Sequence, residues 1–288
     1  MIYSFINQKG GVGKTTSSVN MAAYLANAGK KVLLVDLDSQ ANASNALGTN
    51  TTTGTTYDVL TDRKDIVRDS LIHNTTVPNL TILPACRYLA GVDLELSAIK
   101  KDREFILKRK LGPIKNNYDY IIIDCPPALG TITVNALTAS DAIIIPMQCE
   151  YLSMLGLSQL MYTVRQTQKY LNPSLHIEGI ILTMYDKRSK LTHSVRAEIE
   201  DYFKGKVYNT TIPRNVRLAE APSYGLPILK YEATCSGAVA YRALAEEFMA
   251  REAENARAKS VQDTTTESNT TKLAHQAPTK KGKKTLAS

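Results

Sequence analysis

Asn7-Gln8-Lys9-Gly10-Gly11-Val12-Gly13-Lys14-Thr15-Thr16 is the stretch on which the reading of this chain turns. It follows a short apolar run at residues 2–6 and precedes a helical pattern, so its context is strand, glycine loop, helix. Glycines let successive backbone N–H groups turn inward on a polyphosphate, and the helix start that follows adds its positive dipole end. Gly13-Lys14-Thr15 closes the phosphate-loop pattern G-x-x-x-x-G-K-[ST], which assigns Lys14 to the β- and γ-phosphates of a nucleotide and the Thr15 hydroxyl to Mg²⁺. Gly10, Gly11, Val12, Gly13, Lys14, Thr15 and Thr16 are therefore the expected nucleotide cradle. The pattern asks for glycine five residues before Gly13, where Gln8 stands, and Lys9 comes next. A second lysine has no packing use there, because its ammonium sits at an anionic site.

Outward from the loop, apolar runs alternate with helical patterns. Val19, Ala22, Ala23 and Ala26 mark a helix over residues 17–28, stopped by Gly29. Residues 32–35 form a continuous apolar run of the kind a strand buried on both faces shows. Further strands are expected at residues 80–83, before Asp124, at 142–146 and at 177–184. Helices are expected at 57–60, 89–96, 104–111, around Leu157 to Val164, after Lys190, and at 237–250. Such alternation predicts an α/β fold: a doubly wound, mostly parallel sheet with helices on both faces.

Carboxylates close two of these strands. Asp36 and Asp38, one residue apart after the run at 32–35, point the same way on the ligand edge of such a sheet. They are equally suited to cap a helix starting near Ala41. Asp124, between the apolar run at 120–123 and a Pro-rich turn, has the Walker B arrangement and reaches Mg²⁺ through water. Its plain alternative is an ordinary turn-initiating aspartate.

Composition narrows the class. The chain has 288 residues, is 43% hydrophobic and carries a formal charge of +8. One domain over residues 1–251 is expected, followed at 252–288 by the end of the last helix and a disordered basic Thr/Lys-rich tail. From Glu252 onward seven Lys or Arg stand against four Asp or Glu, so most of the excess charge belongs to the domain. That excess favours an anionic partner, nucleic acid or acidic membrane. No apolar stretch is long enough to span a bilayer, and the N-terminus lacks a signal-peptide pattern, so a cytoplasmic location is expected. The four cysteines form no C-x-x-C pair, which argues against a structural zinc or a disulfide framework. The four histidines show no metal-ligand spacing.

The run Lys-Gly-Gly-Val-Gly-Lys-Thr-Thr at 9–16 resembles the deviant Walker A loop of the ParA/MinD ATPases. Two further stretches resemble that family in the same order. Asp-Leu-Asp-Ser-Gln-Ala-Asn at 36–42 is similar to its Asp-x-Asp-Pro-Gln-x-Asn, with Ser39 in place of proline, and Asp-Cys-Pro-Pro at 124–127 to its switch II turn. Ile-Pro-Arg-Asn-Val-Arg-Leu-Ala-Glu-Ala-Pro-Ser at 212–223 resembles the Soj-like ParA proteins in particular. The resemblance spans about residues 2–250.

It implies a set of roles. Lys9 crosses a dimer interface to the partner's nucleotide, Asp38 positions or activates the attacking water, and Asp36 supports the Mg²⁺ shell. The Pro213-Arg214 turn lies beside adenine. Arg188 and Arg217, then Lys187, Lys190 and Arg214, form a surface for non-specific DNA. The implied protein is an ATP- and Mg²⁺-dependent ATPase, slow alone and stimulated by a ParB-like protein. Its ATP-bound homodimer holds DNA of the nucleoid, and hydrolysis releases it during chromosome or plasmid segregation. The early loop leaves no room for the helix-turn-helix domain of larger plasmid relatives. Two alternatives remain open: an orphan ParA-type ATPase positioning another cargo, or a MinD-like membrane-associated ATPase. The second wants an apolar-faced C-terminal helix, which the tail lacks, so no stable membrane association is expected.

Overall fold

The computed structural model describes residues 1–61, 68–73, 75–150 and 153–274. Its centre is a six-stranded, all-parallel sheet in the order β3-β2-β4-β1-β5-β6. The strands are β1 (Ile2–Phe5), β2 (Val32–Asp36), β3 (Leu80–Leu83), β4 (Tyr120–Asp124), β5 (Ala142–Gln148) and β6 (His176–Thr183). Val32, Leu33, Leu34 and Val35 are fully buried, as a strand covered on both faces requires. The helices are α1 (Lys14–Asn27), α2 (Asn42–Asn45), α3 (Thr56–Thr61), α4 (Val92–Ala98), α5 (Ile106–Leu111), α6 (Thr131–Ala139), α7 (Ser153–Tyr170), α8 (Lys190–Tyr202), α9 (Val216–Glu220), α10 (Ile228–Tyr231) and α11 (Ser236–Ala274). They cover both faces of the sheet, the doubly wound arrangement expected.

β1 lies between β4 and β5, both far away in sequence. Its register sets Phe5 beside Asp124, and that of β2 on β4 sets Asp36 beside Asp124. The loops that leave the strands therefore gather at one edge. Beyond β6, the extended segment 206–212 runs alongside: Ile180 donates to Lys206, Tyr208 to Ile180, and Ile212 to Leu182. A further bond from Tyr185 N to the Ile212 carbonyl (2.9 Å) joins the loop after β6 to the Pro213 turn.

The short α9 and α10 were not expected from the sequence, and two longer elements depart from it more instructively. α6 follows the turn after Asp124, where no helix was expected. Its residues are largely β-branched or polar, weak helix formers, and seven of its nine side chains are buried, so no amphipathic period shows. Packing decides it, and Asn135 ties it in by accepting from Leu107 N and donating to the Arg103 carbonyl. α11 begins at the expected place but runs to Ala274 rather than stopping near residue 250. Residues 249–259 hold few large apolar side chains yet are rich in Ala, Glu and Arg, which favour helix without a buried face. Residues Met1–Ala245 make one compact unit, and the chain from Glu246 onward makes another. The final residues, 275–288, lie outside the described residues.

Candidate nucleotide site and basic loops

The loop after β1 is fixed by its neighbours. Asn7 Nδ2 donates to the Pro146 carbonyl (2.8 Å), while its Oδ1 accepts from Lys9 N (3.0 Å). Gln148 Nε2, at the end of β5, donates to the Gly11 carbonyl (3.1 Å). Thr183 Oγ1, at the end of β6, donates to the carbonyls of Val12 and Met147. With the carbonyls of Gly11 and Val12 held from behind, Gly11 and Gly13 adopt left-handed backbone (φ 72° and 83°), which a side chain would strain. A Cβ on Gly10 or Gly11 would meet nothing within 4 Å, so the loop's front is open. Gly13 is the N-cap of α1 and has no side-chain cap, leaving the first N–H groups of that helix available to an anion. Asn7, Gln148 and Thr183 were missed by sequence reasoning. Their only trace is a polar residue closing an apolar run.

Behind the loop sits a buried ionic cluster. Lys14 is almost fully buried, and its Nζ lies 3.3 Å from the Lys9 carbonyl. Burial lowers its pKa, opposed by Asp124. Asp124 accepts from Thr15 Oγ1 (2.7 Å) and Ser18 Oγ (2.9 Å). Burial, then the neighbouring Asp36 charge, pushes its carboxyl up to about 7. Asp36 is fully buried, and burial lifts it to about 6 against the hydrogen bonds from Ser44. Both its oxygens are engaged: Oδ1 accepts from Asp38 N, and Oδ2 from Ser44 N and Oγ. Asp36 thus braces Asp38 and α2 from behind the site. It is not the N-cap residue of α2, which is Ala41, but its Oδ2 takes up the Ser44 N–H of that helix's first turn. Asp38 is half-buried and accepts from Gln40 N (3.0 Å).

Two carboxylates this close, both raised by burial, form a site that a cation would relieve. No group of three or more His, Cys, Asp or Glu among the described residues could hold a metal unaided. That fits Mg²⁺, which is bound through one or two side chains together with nucleotide phosphates. Thr15 Oγ1 and Asp124 Oδ2 stand 2.7 Å apart, a hydroxyl and a carboxylate that could hold such an ion beside phosphates.

A cavity of about 310 Å³ opens beside Gly13 and Thr16 and is lined by Met184, Pro213, Arg214 and Asn215 among others. Asn215 shapes it by capping α9 through Leu218 N and by donating to Ser236 Oγ. Another cavity, about 630 Å³, is lined by Leu60, Glu95 and Arg109 and by no residue of the phosphate loop.

The remaining candidates lie on exposed surface. Lys9 pairs with Glu150 through its Nζ (2.5 Å), on the open side of the loop. Lys187 and Arg188 sit on the loop after β6, Lys190 opens α8, and Arg214 and Arg217 flank the start of α9. The Tyr185–Ile212 bond makes these two basic segments neighbours. Arg188, 92% exposed in its side chain, lies 3.3 Å from Asp186, and Arg217 lies 2.8 Å from Glu220.

A family model described as an AAA domain matches residues 1–177. The sporulation initiation inhibitor protein Soj of Bacillus subtilis is 53% identical over 251 residues, covering 86% of this chain and 98% of its own. The chromosome-partitioning ATPase Soj of Treponema pallidum is 50% identical over 248 residues, covering 86% and 96%. Among solved structures, a putative plasmid partition protein from Borrelia burgdorferi bound to AMPPNP aligns with a TM-score of 0.72 at 29% identity. That alignment covers 87% of this chain and 98% of the other.

Proposed function

Since this chain belongs to the Soj/ParA family of chromosome-partitioning ATPases, we propose that it moves DNA by an ATP-gated dimer that grips duplex without reading its sequence. It binds ATP with Mg²⁺ and hydrolyses ATP. The observation that carries the DNA reading is the placement of the loops: the phosphate loop and both basic segments leave the same end of the sheet, and the Tyr185–Ile212 bond ties the basic segments together.

The residues divide the work as follows. Backbone N–H groups of Gly10 to Thr16 and the buried Lys14 hold the polyphosphate. The nucleoside rests in the cavity beside Pro213 and Arg214. Thr15 and Asp124, with Asp36 supporting, would hold Mg²⁺, which would neutralise phosphate charge. Asp38 orients the attacking water, its own backbone held by Asp36. Lys9 leaves Glu150 and reaches the partner's nucleotide, so two chains close around two ATP molecules. Arg188, Arg217, Lys187, Lys190 and Arg214 from both subunits then lie along one duplex. Joining two modest basic surfaces multiplies affinity, and phosphate contacts make it steeply salt-sensitive. Hydrolysis, slow alone and stimulated by a ParB-like protein, opens the dimer and frees the DNA. The result is nucleoid-associated movement of a chromosome or plasmid.

The experiment is a duplex-binding measurement with no nucleotide, ADP or ATP. Binding is expected with ATP alone, to persist in Asp38→Ala, which cannot hydrolyse, and to fall at least tenfold in Arg217→Glu. Equal binding in all three nucleotide states, or an unaffected Arg217→Glu, would sink the proposal.

A further inference from the structure

Both arginines placed foremost on the proposed DNA surface carry a carboxylate of their own. Arg217 Nη1 meets Glu220 Oε2 at 2.8 Å, three residues along at the end of α9. Tyr231 Oη donates to the same oxygen at 3.1 Å, and its ring lies 5.0 Å from that of Tyr224. Arg188 Nε meets Asp186 Oδ1 at 3.3 Å, an oxygen that also accepts from Arg188 N. The arginine lowers the carboxyl pKa in each case, so both acids are charged at neutral pH.

A carboxylate and a phosphate ask for the same edge of a guanidinium. These pairs are exposed, and exposed ion pairs are weak, so a phosphate can displace the acid. The displaced carboxylate stays within a few ångströms of the incoming phosphate and repels it. We propose that Glu220 and Asp186 are built-in competitors that hold the DNA grip below what the arginines alone would give, which keeps release quick. This inference rests on the DNA reading above and adds two residues to it. A purely structural role predicts the opposite sign, because loosening a positioned arginine would weaken binding.

The test uses the full chain with ATP and a non-specific duplex, comparing Glu220→Gln, Asp186→Asn, both of these in an Arg217→Ala background, and Asp102→Asn. The amides keep an oxygen acceptor and remove one charge. Asp102→Asn changes net charge equally beside Arg109, away from the basic loops. Basal ATP turnover serves as the check on folding. Expected is roughly three- to tenfold tighter binding for Glu220→Gln, a smaller gain for Asp186→Asn, and a steeper salt dependence for both. In the Arg217→Ala background the Glu220→Gln gain disappears, and Asp102→Asn matches the parent chain. If Glu220→Gln binds no better than Asp102→Asn, or keeps its gain without Arg217, the competitor role is wrong while the DNA surface stands. If the parent chain and every variant fail to bind duplex with ATP, the DNA reading falls and takes this inference with it.

Discussion

Ser44 holds three pieces of the site together. Its N–H and hydroxyl both donate to Asp36, its hydroxyl oxygen accepts from Ala85 N (2.9 Å), and its carbonyl accepts from Thr49 N and Oγ1. Removing that hydroxyl leaves the buried Ala85 N–H without an acceptor and takes a donor from a buried carboxylate. Ser44→Ala is therefore expected to cost about 1–3 kcal/mol, read as a lower denaturant midpoint at unchanged m-value. Because Asp36 also fixes the backbone of Asp38, hydrolysis should fall more than ATP affinity does. An unchanged midpoint would show that water replaces the hydroxyl. Residues proposed for phosphate and Mg²⁺, such as Lys14, Thr15 and Asp124, were legible in the sequence because that chemistry demands one side-chain type at one spacing. Ser44, Gln148 and Thr183 were not. Their partners are backbone atoms of other loops, and only the folded register brings them within reach.

Among the strands, β6 carries a titrating histidine beside a buried acid. His176 at its start faces the buried Glu178, 3.7 Å away, and that nearby carboxylate raises the imidazole pKa above its ordinary value. A raised histidine pKa contributes stability that is fully present below about pH 6.5 and fades as pH rises through the higher folded value. His176→Gln should then lower the melting temperature clearly near pH 5.5 and little near pH 9. Equal losses at both pH values would assign the residue a packing role instead. At this scale the sequence was legible where apolar runs were unbroken, as at residues 32–35 and 142–145. It misled where packing overrode propensity, in α6, and where propensity acted without a buried face, in α11.

For the whole molecule, the boundary expected at residue 251 remains a proposal with a direct check. A chain ending at Arg251 should keep the parent's melting temperature and ATP turnover, losing only a little DNA affinity with the seven basic residues removed. Loss of folding would show that the domain needs the later part of α11. No helix among the described residues is long and apolar enough to cross a membrane.

The strand order has a consequence for synthesis. β1 carries the phosphate loop and is made first, yet its two neighbours are β4 and β5, which end at Asp124 and Gln148. Until residue 124 has left the ribosome the first strand has no edge to join, and until residue 148 has, Pro146, Met147 and Gln148 are not there to hold the loop. At ~5–20 residues per second, the nascent chain spends on the order of ten seconds with its nucleotide loop unformed. The first-made loop thus waits on a strand made about 140 residues later to complete its support.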